Sequence, residues 1–574
     1  MIDTGLLLEY KDVFRDNPKI FSHYIKGIGI DTLIQFSSHF LSIDQRKSGY
    51  DQIIKIVSNW FSQENSSVQQ YILNQIELLD AKLKANLSFI NPISILTLFE
   101  YSFENVKEKT TLGSKAIEIN LFKCILTLNT EYNKRDLVVS QSTEKLGTKV
   151  KLPAMFVTFS ISIFDFVSYK LNELIITQII KALLLFEFFE SNSAETKNII
   201  TEFVSKYKCD NWKSYLKKYL PLIFGLLKKE NEGLVDYIVI RDSNFKISCE
   251  FLDTIILNNV NELDDLDFKS VRTSPFFKIE EGSYRLISPL FSIEKIYEGL
   301  YFEFSKLNQS LKSQKRDYIK DDFRGFYCLN FSEQYLLYKI LSLSIPKKHV
   351  KLSGVELKEK GLTGEPDYYW RNGNKVFLFE SKDVLINAKI KHSADFNKIE
   401  ESLKEKFYTY TEKGKTYTLG IHQLVNNINK ILSGEYKFDK IIVRKARIYP
   451  ILITHHNIYN TPGLNILVNN WFQAELAAAK IISEKIHDLI IIDINTFILY
   501  HEQFRSRTLV LETLIDDYIS ITKGQLTKLT GKSAYQRAKD SLLSFSLYTS
   551  TIVDQRKLWR LPQLFTNLGL SIFK

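Results

Sequence analysis

Apolar residues recur at helical spacing through most of the first 230 residues. Intervals of three and four positions, with few Gly or Pro between them, predict amphipathic helices. No fixed-period repeat is present, so no named helical-repeat architecture is indicated. A polar stretch containing Gly147 and Pro153 predicts a long surface loop. The predicted helices cover residues 30–41, 68–83, 93–103, 117–128 and 171–189, and the predicted loop covers residues 130–153.

From residue 231 onward, short apolar runs alternate with helical stripes, which predicts a multi-domain α+β protein. We divide the chain into a helical recognition or regulatory region, an α/β connecting subdomain, an α/β core and a basic helical C-terminal segment, at residues 1–230, 231–325, 326–504 and 505–574. In the connecting subdomain we predict a strand at 235–240, an acidic linker at 261–267, a hairpin of strands 276–279 and 284–287, and a helix at 293–307. In the core we predict helices at 331–341 and 421–432, strands at 368–371 and 376–381, and buried strands at 448–454 and 489–494.

The first two core strands flank Asn372-Gly373-Asn374, whose Asn-Gly step favours a tight β-turn. Because side chains alternate along a strand, Glu380 and Lys382 point to one face, which Asp367 can reach from across the hairpin. Ser381 points away but leaves its carbonyl nearby. Two carboxylates and a carbonyl are hard oxygen ligands that suit Mg²⁺ or Mn²⁺. Such an ion would polarise a phosphodiester and activate a water molecule beside the lysine.

Pro366-Asp367 followed by Glu380-Ser381-Lys382 resembles the motif of the PD-(D/E)xK (restriction-endonuclease-like) nuclease superfamily. The resemblance covers roughly residues 326–500 and implies an αβββαβ core, in the order helix, three strands, helix, strand. It implies that Asp367, Glu380 and the Ser381 carbonyl bind the metal and that Lys382 positions the water. It also implies that Glu333 on the preceding helix supports the metal site and that Gln423 on the following helix orients substrate or water.

Each of these residues also has a purely structural interpretation. A chain rich in lysine and glutamate produces Glu-x-Lys triplets by chance, so an ordinary surface hairpin remains an alternative. Glu333, in the first turn of its predicted helix, also favours the helix dipole. Gln423 also fits a surface polar position. His455-His456 does not predict a metal site, because neighbours on a strand point to opposite faces.

Composition is that of a globular protein, with 45% hydrophobic and 25% charged residues among 574. A net charge of +10 fits a polyanionic partner, but a solvated, lysine-rich surface explains it equally well. The four cysteines form no Cys-x-x-Cys pair, so a reducing cytoplasm is expected. No secretory signal and no apolar run of about 18 residues is present, so no membrane partner is expected.

Two basic stretches are candidates for phosphate contact. Arg444-Lys445-Ala446-Arg447 precedes the predicted strand at 448–454, where a surface charge run is the alternative. In the C-terminal segment, basic and aromatic residues suit phosphate contact and base stacking, or form a helical cap with buried aromatics. These residues are Lys532, Tyr535, Arg537, Lys539, Tyr548, Arg556, Lys557, Trp559, Arg560 and Lys574.

The leading hypothesis is a Mg²⁺-dependent endonuclease that acts on DNA, in bacterial defence or a mobile element. A non-catalytic nucleic-acid-binding or scaffold protein with a nuclease-like core is the alternative from another class, and an RNase is a third. The helical region at 1–230 is a candidate for binding a protein partner or a second copy of the chain.

Overall fold

The computed structural model describes most of the chain as a mixed α+β protein, about 62% helical. No helix among the described residues is long and apolar enough to cross a membrane. The chain divides into two compact units built from separated segments, in contrast to the linear division made from sequence: residues 1–137, 166–178 and 202–303 form one, and residues 138–165, 179–201 and 304–574 form the other. The described residues are 6–43, 49–83, 87–105, 109–167, 170–230, 237–241, 244–260, 266–412, 414–526 and 541–573.

The first 230 residues are helical, as predicted, and all five predicted helices are confirmed. Two short strands, β1 (Leu6–Leu7) and β2 (Leu87–Ser88), pair in parallel between them. The Asn129 side chain donates to the carbonyls of Leu8 and Phe89, which fastens this pair to a helix. The described helices are Tyr10–Val13, Phe21–Ile25, Ile30–Ser42, Tyr50–Trp60, Ser66–Leu83, Pro92–Tyr101, Ser114–Asn133, Arg135–Thr143, Thr148–Ser160, Leu171–Ser191, Ala194–Lys206 and Trp212–Glu230.

The loop predicted at 130–153 is wrong, because this stretch is helical. Gly147 does not mark a loop but takes the extended conformation that precedes the helix Thr148–Ser160. In the helix Arg135–Thr143 the buried side chains are Val139 and Thr143, and most of the others are exposed. A short helix with so few buried positions shows little apolar periodicity, which is why the sequence pattern indicated a loop.

The connecting segment contains a small antiparallel sheet. Strands β3 (Tyr237–Val239), β4 (Phe276–Glu280) and β5 (Ser283–Leu286) lie in the order β3-β5-β4, which confirms the predicted hairpin. The beginning of the strand predicted at 235–240 and most of the linker predicted at 261–267 lie outside the described residues. The helix predicted at 293–307 is divided in two, and the helices here are Phe245–Leu252, Lys269–Thr273, Pro289–Glu294 and Glu298–Ser313.

The second unit is built on a mixed five-stranded sheet in the order β12-β11-β8-β7-β6. The strands β6, β7 and β8 are antiparallel neighbours, whereas β8, β11 and β12 run parallel. The predicted hairpin is confirmed, and its two-residue turn places Gly373 at φ +60°, a conformation that suits glycine. The strands are β6 (Val350–Ser353), β7 (Tyr368–Asn372), β8 (Lys375–Lys382), β11 (Arg447–Thr454) and β12 (Ile490–Asp493).

Helices cover the apolar residues of this sheet. A continuous helical segment spans Phe323–Phe326, the π-helical stretch Tyr327–Leu337 and Tyr338–Ser344. The predicted helix at 421–432 is observed as Gly420–Leu432, with Ile421, Leu424 and Ile428 fully buried. The other helices are Gly354–Glu359, Ala388–Lys391, Phe396–Phe407, Leu464–Ala478, Ile494–Arg505, Leu511–Leu526, Phe545–Gln555 and Gln563–Phe573, and a separate hairpin consists of β9 (Thr409–Glu412) and β10 (Lys415–Thr418).

The basic C-terminal segment is only partly described. Lys532, Tyr535, Arg537, Lys539 and Lys574 lie outside the described residues. Tyr548 is buried against Tyr518 and Phe545, as in the alternative of a helical cap with buried aromatics. Trp559 is 40% exposed, and Arg556, Lys557 and Arg560 are exposed beside it.

A buried ion pair fixes the β7–β8 hairpin. The guanidinium of Arg371 donates through two nitrogens to the Asp439 carboxylate, which also accepts a hydrogen bond of 2.6 Å from the Tyr369 hydroxyl. The Asp439 side chain is only 6% exposed. Both partners are therefore desolvated, and each depends on the other for its hydrogen bonds.

Replacing Asp439 with alanine is expected to destabilise the protein by about 3 kcal/mol, because the Arg371 charge and the Tyr369 hydroxyl lose their acceptor. Equilibrium unfolding in urea measures the loss. Lys440→Ala, an exposed neighbour, is the control and should behave as wild type. An Asp439→Ala protein with the wild-type midpoint would show that this ion pair contributes nothing.

Candidate active site

Asp367 and Glu380 lie opposite each other across the β7–β8 ladder. Tyr368 pairs with Phe379, so the next position of the register places Asp367 opposite Glu380. Directly opposed residues of antiparallel strands point to the same face, with Cβ atoms about 5 Å apart. The backbone N–H of Ser381 donates to Asp367 Oδ2 over 2.6 Å, which holds the aspartate across the strand gap. The structure thus brings the two predicted acids together.

Glu380 is a buried carboxylate without a hydrogen bond. Its side chain is 0% exposed, and neither oxygen has a hydrogen-bond partner among the described residues. Lys382 Nζ lies 3.6 Å from Glu380 Oε2, which is an ion pair without hydrogen-bond contact. Burial and then the charge of Asp367 raise the pKa of Glu380 well above its ordinary value, against the opposing effect of Lys382.

Lys382 is held between the acids and the helix Gly420–Leu432. Its Nζ donates to Gln423 Oε1 over 3.2 Å, so the predicted glutamine does reach the site. Burial disfavours the ammonium, but the charges of Glu380 and Asp367 outweigh it and raise the pKa of Lys382. Gly420 leaves room for this side chain, because a Cβ at that position would lie 3.1 Å from Lys382 Cε. Lys382 is therefore a fixed, charged donor at neutral pH.

Glu333 joins the cluster from the helical segment at 323–344. That segment begins at Phe323, capped by Asp322, so the interpretation of Glu333 as a first-turn residue is wrong. The residue instead lies in the π-helical stretch Tyr327–Leu337, and its Oε1 accepts a hydrogen bond of 3.2 Å from Tyr338. Burial and the charge of Asp367 raise the pKa of Glu333 to about 7. Burial also raises the pKa of Asp367.

The Ser381 carbonyl accepts no backbone hydrogen bond from its register partner next to β7. Its register partner on the β7 side is Pro366, which has no N–H to donate. Backbone N–H and C=O groups of one strand residue point to the same side, and the Ser381 N–H points towards Asp367. The carbonyl therefore points past the start of β7, on the side of the two acids. The Ser381 hydroxyl points elsewhere, 2.8 Å from His455 Nε2.

Two supporting residues were not found from sequence. The Gly354 N–H donates to the Asp367 carbonyl over 2.9 Å, and a Cβ at Gly354 would lie 3.1 Å from the Tyr338 hydroxyl. His455, at the end of β11, lies beside Ser381 because the parallel register pairs Ile453 with Ser381. Burial lowers the pKa of His455 to about 4, so its imidazole is neutral at neutral pH. A prediction that β11 is parallel to β8 would have found His455, whereas no local pattern marks Gly354.

Both carboxylate oxygens of Asp383, which follows Lys382, accept hydrogen bonds from the helical segment at 323–344. Arg324 contacts its Oδ1 at 2.7 Å, and the Ser332 hydroxyl donates to its Oδ2 over 2.6 Å. Despite burial, the charge of Arg324 lowers the pKa of Asp383. Asp383 therefore anchors the end of β8 to the helical segment at 323–344.

The basic stretch Arg444–Arg447 lies at the start of β11, as predicted, but away from the two acids. Arg447 pairs with Lys375 at the start of β8, whereas Thr454 pairs with Lys382 at its end. Glu380 pairs with Leu452, five residues further along β11, so Arg447 lies about 17 Å from the acids, at the opposite end of these strands.

No group of three or more His, Cys, Asp or Glu side chains among the described residues is arranged to hold a metal ion. The residues that can contribute oxygen ligands are Asp367, Glu380 and the Ser381 carbonyl, with Glu333 nearby. Comparisons of the chain with protein-family models, curated proteins and solved structures gave no match. The function is therefore inferred from the geometry of this site.

Glu333→Gln is expected to flatten the pH dependence of stability in EDTA. Because the pKa of Glu333 rises from 4.5 to about 7 on folding, its contribution is full below pH 4.5 and is lost as the pH rises to about 7. The difference in unfolding free energy between wild type and Glu333→Gln should therefore fall across this window. Urea unfolding at several pH values measures it.

Glu359→Gln, on the exposed end of the helix Gly354–Glu359, is the matched control and should follow the wild-type profile. A constant difference between wild type and Glu333→Gln across the same window would contradict the raised pKa.

Proposed function

We propose that this chain is a metal-dependent nuclease that hydrolyses phosphodiester bonds, with DNA as its substrate. The observation that carries the proposal is the Glu380 carboxylate, which is buried, without a hydrogen bond among the described residues, and opposite a second acid. Isolating such a group from water costs several kcal/mol unless an opposite charge compensates it. Lys382 supplies one positive charge, but Asp367 adds a second negative one, so the pair of acids favours a further cation.

The donor set fits a hard divalent ion. Asp367 and Glu380 offer carboxylate oxygens and Ser381 offers a carbonyl, and Mg²⁺ or Mn²⁺ prefers oxygen ligands. Mg²⁺ is commonly held by only one or two carboxylates together with waters and substrate phosphates. A site with fewer than three clustered acids is therefore compatible with this ion.

A bound ion would polarise the phosphodiester and lower the pKa of a water molecule. The surrounding side chains can donate and accept the protons that this reaction requires. Lys382 is charged and tethered to Gln423, so it can donate to the attacking water or to a phosphate oxygen. Glu333, with a pKa of about 7, can accept a proton near neutral pH.

The order of elements also supports the proposal. A helical segment, the strands β6, β7 and β8, the helix Gly420–Leu432 and the strand β11 occur in the order that the resemblance to the PD-(D/E)xK superfamily implies. One helix is inserted between β6 and β7, and two helices and the hairpin β9–β10 are inserted after β8. This is a fold-level analogy. Joined to a large helical region, such a core suits a nuclease of bacterial defence or of a mobile element, in which the helical region recognises a trigger or a partner.

Glu380→Gln and Lys382→Ala are each expected to reduce Mg²⁺- or Mn²⁺-dependent cleavage by about a hundred-fold or more, because each removes a charge at the reacting phosphate. Cleavage of plasmid, single-stranded DNA and RNA is measured, which also identifies the substrate. Glu380→Gln should also lose the rise in melting temperature that Mg²⁺ gives the wild type.

The matched controls are Glu359→Gln and Lys360→Ala, two exposed residues of the same unit. Full cleavage by a folded Glu380→Gln protein would refute the assignment. Nucleic-acid binding by the wild type without cleavage and without stabilisation by Mg²⁺ would instead identify a non-catalytic binding protein.

A further inference from the structure

The hairpin β9–β10 stands apart from the five-stranded sheet of its unit. Among the described residues, its strands Thr409–Glu412 and Lys415–Thr418 pair with each other alone and form a separate two-stranded sheet. An isolated two-stranded hairpin is at best marginally stable in water. This hairpin adds no strand to the five-stranded sheet, so it does not extend that sheet. We therefore ask what its side chains could bind.

The base of the hairpin lies beside Lys382. Gly420 follows the second strand closely, and a Cβ there would lie 3.1 Å from Lys382 Cε and 3.4 Å from the carbonyl of Phe407. Phe407 ends the helix that leads into the first strand. The two ends of the hairpin therefore lie beside each other, with Gly420 next to Lys382, and the strands of four residues are each about 13 Å long.

The base is also rigidly held. The ring of Tyr408 stacks on His422 with centroids 4.7 Å apart, and its hydroxyl donates to Glu475 Oε2 over 2.6 Å. His422 Nδ1 lies 2.7 Å from Glu475 Oε1. His422 precedes Gln423, the acceptor for Lys382, so the hairpin and the catalytic lysine are positioned by the same turn of helix.

The two faces of the hairpin differ. Tyr410 and Tyr417 are a cross-strand pair with ring centroids 4.8 Å apart and an angle of 14° between ring planes. Lys415 Nζ lies 5.2 Å from the Tyr417 ring centroid. The opposite face carries Thr411 and Thr416, both exposed, with their hydroxyl oxygens 3.1 Å apart. One face thus carries Tyr410, Tyr417 and Lys415, with Glu412 opposite Lys415 in the register, and both tyrosines keep part of their surface in solvent.

We propose that this aromatic face binds a single strand of nucleic acid and leads it to Lys382. The inference rests on the proposed nuclease function. Bases stack on aromatic rings irrespective of sequence, and a nearby ammonium suits the phosphate backbone. Stacking requires exposed base faces, which a duplex hides, so the strand is single or locally unpaired.

The test measures binding of the full chain in EDTA by fluorescence anisotropy. The probes are a 20-nucleotide oligothymidylate, an oligouridylate, a blunt duplex and an abasic deoxyribose phosphate polymer, each of about the same length. Tyr410→Ala/Tyr417→Ala is expected to weaken binding of the unpaired pyrimidine strands about tenfold. Tyr410→Phe/Tyr417→Phe keeps the rings and should retain wild-type affinity. Thr411→Ala/Thr416→Ala, on the opposite face, is the matched control.

If the alanine variant loses affinity only for oligothymidylate or only for oligouridylate, the proposal is supported, and the affected probe shows whether the hairpin prefers DNA or RNA. The abasic polymer should bind wild type and the alanine variant equally, because it has no base to stack. Unchanged affinity of the alanine variant for both oligonucleotides overturns the proposal, as does an equal loss for the abasic polymer or for the duplex. Because binding in EDTA requires no metal, this result does not depend on the cleavage assay that tests the nuclease function.

Discussion

The burial of Glu380 opposite Asp367 is the constraint on which the account of this site depends. Two acids on adjoining strands, one of them without access to water, repel each other and resist ionisation. Such a pair in the interior of a protein is neutralised either by a proton or by a bound cation. The single ammonium of Lys382 is 3.6 Å away and also interacts with Gln423, so it compensates the pair only in part.

The backbone around these acids is shaped to keep them together. Pro366 removes the donor that would occupy the Ser381 carbonyl, and the Ser381 N–H is taken by the Asp367 carboxylate instead of a strand carbonyl. Gly354 and Gly420 allow close approach of neighbouring elements where a side chain would crowd Tyr338 or Lys382. These features place the two acids together at the end of the β7–β8 ladder rather than in its middle.

The features of this site that depend on local periodicity, the hairpin and the faces of its strands, were predictable from the sequence. The alternation of side chains was sufficient to place Asp367 and Glu380 on one face. The two-residue turn is Gly373-Asn374 and not the predicted Asn372-Gly373 step, and this turn is what sets Asp367 opposite Glu380. The nearness of Glu333 and Gln423 came only from the family resemblance, since no local rule relates residues so far apart in the chain. Gly354 and His455 were missed for the same reason. The distance between Arg447 and the acids follows from the direction of β11, which the composition of a strand does not determine.

The most direct test of the central claim is the location of a bound ion. In a crystal of the wild-type protein soaked with Mn²⁺, anomalous scattering measured at the manganese absorption edge should show a peak bridged by the carboxylates of Asp367 and Glu380. This peak should disappear in Glu380→Gln. A wild-type crystal with no manganese at these two side chains, or with its manganese bound elsewhere, would contradict a metal site at Asp367 and Glu380.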